Sequence, residues 1–160
     1  MSQHVFKLAH EFDAPQAMVF DAFATEEALN AWWGPTNSRN TTISLDFRPG
    51  GTFHYRMESE QGTMYARFLY KTIQPHNLLV FTIAFTDANA NVVPAPFPNF
   101  PREIEYTFRF TEASGKTKID VTGVPVQANE VEAAAFRSLN ESMQQGFGGS
   151  LKKLAAYLSA

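Results

Sequence analysis

Residues 129–158 read NEVEAAAFRSLNESMQQGFGGSLKKLAAYL, and the fold turns on how this stretch is read. Phe136, Leu139, Met143, Phe147, Leu151, Leu154 and Leu158 recur at steps of three and four. That spacing puts them on one face of a helix many turns long. Asn129, with Glu132 three residues later, has the form of a capping box and sets the start of the helix. Gly146, Gly148 and Gly149 interrupt the pattern. Each costs about 1 kcal/mol relative to alanine in a helix interior. The apolar stripe keeps phase across them, so a continuous but softened helix is expected, with a break into two helices as the alternative. Close contact with a neighbouring element, or bending to admit a ligand, would explain the glycines.

A helix with one long apolar face has to cover another layer. Working upstream, residues 102–112 and 116–124 are strands joined by a Ser114-Gly115 turn, and residues 78–86 form another. Residues 63–73, 52–59 and 41–47 continue the series, separated by Pro75-His76-Asn77, Gln61-Gly62 and Arg48-Pro49-Gly50-Gly51. Successive short strands with tight turns imply an antiparallel meander. Residues 4–12 alternate, with Phe6, Leu8, His10 and Phe12 on one face, as a half-buried strand does. Two short helices follow. Asp13-Ala14-Pro15 opens the first, with Asp as a cap and Met18, Val19, Ala22 and Phe23 as the apolar stripe. Thr25 caps the second, with Glu26 and Glu27 near its positive end, and Trp32-Trp33-Gly34-Pro35 closes it. The expected fold is α+β of the helix-grip type. A curved antiparallel seven-stranded sheet, two short helices and one long C-terminal helix form a single domain over 1–160. A straight helix cannot touch a curved sheet everywhere, so a pocket is expected between them.

Composition narrows the function classes. The chain has 160 residues, 44% hydrophobic and 18% charged, which is ordinary for a globular domain. Fifteen phenylalanines suit a thick core or an apolar pocket. A net charge of -3 with scattered Lys and Arg argues against nucleic acid as a partner. With no cysteine, no disulfide or thiolate chemistry is open to the chain. The N-terminal MSQHVFKLAH has no secretion-signal pattern, and no run approaches ~20 apolar residues. A cytoplasmic protein without a membrane span is therefore expected.

Four segments resemble a known family. They are Phe12-Asp13-Ala14-Pro15 running to Val19-Phe20-Asp21-Ala22, then Leu29 to Trp32-Trp33-Gly34-Pro35, then Asp46-Phe47-Arg48-Pro49-Gly50-Gly51-Thr52-Phe53, and Gly146-Phe147 through Leu151 and Leu154. In this order and spacing the chain resembles the START-like (SRPBCC) superfamily. More narrowly, it resembles the family named after the C-terminal domain of the activator of the heat-shock chaperone ATPase. The resemblance implies a helix-grip fold with an internal cavity. It leaves the activity open among lipid and hormone binders, cyclases and aromatases, and co-chaperones. The sequence departs from the family at Phe147, where members usually carry Trp, and at Phe68, near which they often carry Gly; a bulky Phe68 is expected to reshape the cavity. The co-chaperone proper also has a separate N-terminal domain, so chaperone activation is the less expected role here.

Alternation assigns the inward faces: Phe53, Tyr55 and Met57; Met64, Ala66, Phe68 and Tyr70; Leu79, Phe81, Ile83 and Phe85; Ile104, Tyr106, Phe108 and Phe110. The expected cavity lining is His10, Trp33, Tyr55, Met57, Met64, Phe68, Tyr70, Phe81, Tyr106, Phe108, Met143 and Phe147. A few polar tips among apolar bodies are what a ligand site requires. The competing reading of the tyrosines and His10 is as hydrogen-bonded core residues. Trp32 and Trp33 divide between core anchor and cavity lining, or both pack. His54 is expected to point outward beside Arg56. No His-x-x-x-His spacing occurs, so neither a metal nor another cofactor is expected. Asp46 and Arg48 are read as an ion pair fixing their turn. The proline-rich stretch 93–101, with Phe97 and Phe100, has three readings: a lid, a contact in a homodimer, or a plain loop. The expected partner is an apolar, lipid- or polyketide-like small molecule, held without chemistry. A cyclase or hydratase using His10 or a tyrosine, and a stimulator of a partner ATPase, are the alternatives.

Overall fold

A computed structural model describes residues 5–159. His4, which opens the first expected strand, lies outside the described residues. The strands are β1 (Phe6–Phe12), β2 (Arg39–Leu45), β3 (Thr52–Ser59), β4 (Gly62–Gln74), β5 (Leu78–Thr86), β6 (Ile104–Ala113) and β7 (Lys116–Pro125). They form one antiparallel seven-stranded sheet in the order β1-β7-β6-β5-β4-β3-β2. Every neighbouring pair except β1–β7 is consecutive in sequence, the meander its turns imply. Bulges between Thr42 and Ser44 and between Tyr70 and Thr72 bend the sheet. The second bulge turns Ile73, rather than Thr72, toward the core side on which Tyr70 lies.

Helices α1 (Gln16–Asp21) and α2 (Glu26–Trp32) fill one end of the inner face. The N-cap of α1 is Pro15, with no side-chain cap, so Asp13 does not take that role. Val19, Ala22 and Phe23 are buried as the stripe predicts, joined by Phe20, while Met18 is exposed. Thr25 does cap α2, its hydroxyl accepting from the Ala28 amide at 3.2 Å. Trp32 is fully buried and its indole N–H donates to the Ala22 carbonyl at 2.9 Å, which ties α2 back onto α1.

The C-terminal stripe divides into α3 (Glu130–Ser138) and the longer α4 (Asn140–Ser159). The capping box at Asn129 and Glu132 is formed in both directions. The break falls at Leu139 and not at the glycines. The Ser138 hydroxyl donates to the Ala135 carbonyl at 2.8 Å, and Leu139 leaves helical geometry at φ −96° and ψ 7°. Helix α4 then runs unbroken through all three glycines. It packs along α2 and β1, with Leu151 and Leu154 buried.

His54 points outward as expected but is not exposed there. It is on the outer face but only 4% exposed, with Nε2 at 3.1 Å from Thr86 Oγ1. The reason is tertiary. The chain after β5 doubles back through a bridge between Thr86 and Val92, and this shelters the imidazole. The Asp46–Arg48 ion pair is formed at 2.8 Å beside the tight turn, as read.

Candidate functional site

The aromatic core is dense at one end of the sheet and open at the other. Phe23 packs on Trp32 at 4.8 Å and on Phe108 at 5.5 Å, so α1 and α2 plug the first end. Phe68 stacks on Phe81 with ring centroids 4.1 Å apart and planes 8° apart. Beyond that stack the sheet curves away from α4 and leaves a void of about 250 Å³. Its floor comes from four adjacent strands: Tyr55 and Met57, Met64 and Ala66, Ile83 and Phe85, Ile104 and Tyr106. Met143, Gly146, Phe147 and Ser150 of α4 form the roof, and Trp33, Gly34 and Pro35 one side. Phe97, Phe100, Pro101 and Arg102 close the far end. Met64 and Phe97, each 40% exposed, mark where this space meets solvent.

Seven of the twelve sequence-predicted residues therefore border one void: Trp33, Tyr55, Met57, Met64, Tyr106, Met143 and Phe147. Phe68, Phe81 and Phe108 sit in the packed end instead and do not border it. Phe68 therefore belongs to the stack that bounds the packed end and is not part of the lining. Tyr70 is buried against Phe47 at 5.1 Å, and its hydroxyl has no partner among the described residues. His10 lies beside Phe12 at 4.7 Å and is half-buried. Burial, assisted by the Lys152 charge, lowers its pKa.

Burial also raises the phenols of Tyr55 and Tyr106 well above their ordinary range. Both stay protonated near neutrality, which makes them hydrogen-bonding groups and unsuits them as general bases. The Trp33 indole N–H faces the Tyr55 hydroxyl from beyond hydrogen-bonding geometry. It eases that phenol's ionisation slightly and is itself left without an acceptor. Phe147 bridges the roof to the floor, 5.0 Å from Tyr106 and 6.0 Å from Trp33. Gly123, opposite Tyr106 in register, allows this: a Cβ there would lie 2.6 Å from the tyrosine ring.

Sequence reasoning missed how the roof is fastened. Ser150 donates to the Gly34 carbonyl at 2.7 Å. The Lys153 ammonium donates to the carbonyls of Gly34 and Pro35, each at 3.2 Å, and of Ser38 at 3.4 Å. Burial lowers the pKa of this lysine, whose partners are carbonyls and not carboxylates. A Cβ at Gly149 would lie 2.4 Å from Thr36 Oγ1, so this glycine is what lets α4 meet the loop after Trp33. The helical period did point at these positions: Gly146, Ser150 and Lys153 follow one another at steps of four and three.

The proline-rich loop folds over the open end. Phe97 contacts Phe85 at 6.2 Å, Phe100 contacts Phe97 at 5.5 Å, and Phe136 of α3 lies 6.0 Å from Phe100. The loop is tied where it leaves β5: Asp87 accepts from the Asn89 and Asn91 amides at 2.8 and 3.0 Å, and these bonds lower its pKa, Asn91 most. No cluster of three or more His, Asp or Glu that could hold a metal ion occurs among the described residues, and no helix among them is long and apolar enough to cross a membrane.

A curved sheet gripping a C-terminal helix over an apolar hollow defines a helix-grip protein. The chain belongs to the family described as Activator of Hsp90 ATPase homolog 1-like protein, which matches residues 13–159. No curated protein matches it. Among solved structures it is similar to protein Ms6760 from Mycobacterium smegmatis, with a TM-score of 0.81 at 22% identity over 99% of this chain and 92% of that one. A protein from Arthrobacter aurescens has the same TM-score of 0.81 at 22% identity, over 97% of this chain and 86% of that one. DynU16, a protein in the dynemicin biosynthetic locus, gives a TM-score of 0.68 at 16% identity over 99% of this chain and 48% of that one. At these identities the likeness is one of fold.

Proposed function

We propose that the protein holds an apolar or aromatic small molecule, lipid- or polyketide-like, in the hollow between sheet and α4, and does no chemistry on it. The observation that carries this reading is a void of about 250 Å³ walled almost wholly by apolar side chains and reaching solvent beside Met64 and Phe97. An empty apolar cavity of ~150 Å³ is enough to take benzene, so this one suits roughly a two-ring body or a short chain. Met57, Met64 and Met143 add adaptable, polarizable walls. The protonated phenols of Tyr55 and Tyr106 suit orientation of an oxygen atom on the ligand better than proton abstraction, which favours binding over a cyclase. The fold shared with a protein of the dynemicin biosynthetic locus is compatible with a ligand from small-molecule biosynthesis.

The test is titration with the neutral two-ring dye 1-naphthylamine, alongside native mass spectrometry of the purified chain. Saturable fluorescence is expected, together with a rise in melting temperature. Ala66→Leu puts a larger side chain into the floor and should abolish the signal while the melting temperature holds. Gly146→Ala, whose added methyl meets open space on the roof, should weaken it. Dye binding that survives Ala66→Leu unchanged in a folded protein would place the ligand elsewhere and end this reading.

A further inference from the structure

Resting on the cavity reading above, we propose that the ligand carries one anionic group, a carboxylate or its equivalent, and that Arg102 receives it at the mouth of the hollow. Of the nineteen residues bordering the void, Arg102 alone is charged, and none is acidic. Arg102 is exposed and has no hydrogen-bond or ion-pair partner among the described residues. Its potential partners are already engaged. Glu103, next in sequence, pairs with Arg67 at 2.7 Å and accepts from Thr82 at 3.2 Å. Glu105 pairs with Lys71 at 3.2 Å, and Asp87 is held by Asn89 and Asn91. The backbone explains the separation. Ile104 and Tyr106 of β6 face the void, so Glu105 points to the other side of the sheet. Arg102 lies in the bend just before β6 and borders the void.

The rest of the lining favours a ligand that is uncharged at depth and charged only at one end. Ser150 already donates to Gly34, the Trp33 N–H is sealed from solvent, and the nearby Lys153 spends its protons on three carbonyls. An anion placed deep would meet no cation and would have to shed its water, a cost far above any gain from the walls. Placed at the mouth, it keeps its hydration and meets a forked guanidinium that matches a carboxylate's two oxygens.

The experiment compares matched acid and alcohol pairs by calorimetry at low salt: 2-naphthoate with 2-naphthalenemethanol, and decanoate with 1-decanol. The ring and chain pairs tell an aryl acid from a fatty acid. At least one acid should bind about fivefold tighter than its alcohol, the worth of a solvent-exposed ion pair. The preference should shrink in 0.5 M salt (~4 Å screening length). Arg102→Gln should erase it, costing the acid more affinity than its alcohol, and Arg102→Lys should restore part of it. Acid and alcohol binding equally to the native chain, or a preference that survives Arg102→Gln, would overturn the proposal and leave the cavity reading intact. Failure of all four compounds to bind would overturn both.

Discussion

Adding one methyl group at adjacent positions of α4 should move stability in opposite directions. Gly148 sits in the helix interior with nothing within 4 Å of where a Cβ would be. Alanine there should recover the ordinary helix preference, about 0.8–1 kcal/mol, or roughly 2–4 °C in melting temperature for a chain of this size. Gly149 offers the same backbone gain, but its Cβ would lie 2.4 Å from Thr36 Oγ1, more than an ångström inside normal contact. Relieving that overlap means moving either the threonine or the helix, and overpacking of this kind costs about 1–3 kcal/mol. Moving the helix would also stretch the 2.7 Å bond from Ser150 to the Gly34 carbonyl. Gly149→Ala should therefore fall below Gly148→Ala by about 1–3 kcal/mol in urea unfolding at constant m-value. Thr36→Ala removes the obstructing oxygen and leaves backbone and Cβ atoms at 3.4 and 3.6 Å, which is ordinary contact. In that background Gly149→Ala should turn stabilising, a coupling of at least about 1 kcal/mol. Equal stabilisation by the two single substitutions, or no coupling to Thr36, would show that α4 does not rest on this loop as described.

Tyr70→Phe should leave stability unchanged or raise it by about 1 kcal/mol, because the buried hydroxyl has no partner to lose; a loss above about 1 kcal/mol in urea titration would contradict the absence of a bond. His10 has its pKa lowered by burial from an ordinary value of 6.5. The unfolded chain then binds the proton first as the pH falls below 6.5, so stability drops between that pH and the lowered folded value. His10→Gln should flatten this part of the stability–pH curve, and parallel curves for native and variant chains would refute the assignment.

The sheet and its inward residues were legible because period-two alternation and turn chemistry are local signals. Phe53, Tyr55, Phe81, Tyr106 and Phe108 all face the core as their spacing indicates. The break at Leu139 was hidden because a single residue leaves helical geometry there, while the stripe of apolar residues continues in phase on both sides. His54 was misjudged for a tertiary reason: a loop folded back from β5 covers the outer face at that position. The part of the lining that lies on Ile83, Phe85 and Ile104 follows from alternation, but which end of the inner face is hollow does not. That depends on how far α1 and α2 reach along the sheet.

The plug and the hollow are two consequences of one arrangement. Phe20, Phe23 and Trp32 fill the inner face at one end, which leaves α4 and the proline-rich loop to cover the other. A straight helix cannot follow the sheet there, and among the described residues of α4 Phe147 is the ring that reaches from roof to floor. Widening or narrowing the hollow therefore needs no change in the sheet. Residue size at 147, and the seating of α4 on the loop at Gly34 through Gly149, Ser150 and Lys153, act on it from the roof. Phe147→Trp should shrink the void from above, lowering affinity for 1-naphthylamine at least tenfold while melting temperature is kept or raised. Tighter dye binding in that variant would mean that the ring at 147 serves as a stacking wall for the ligand, and that the depth of the hollow is governed from the floor at Ala66.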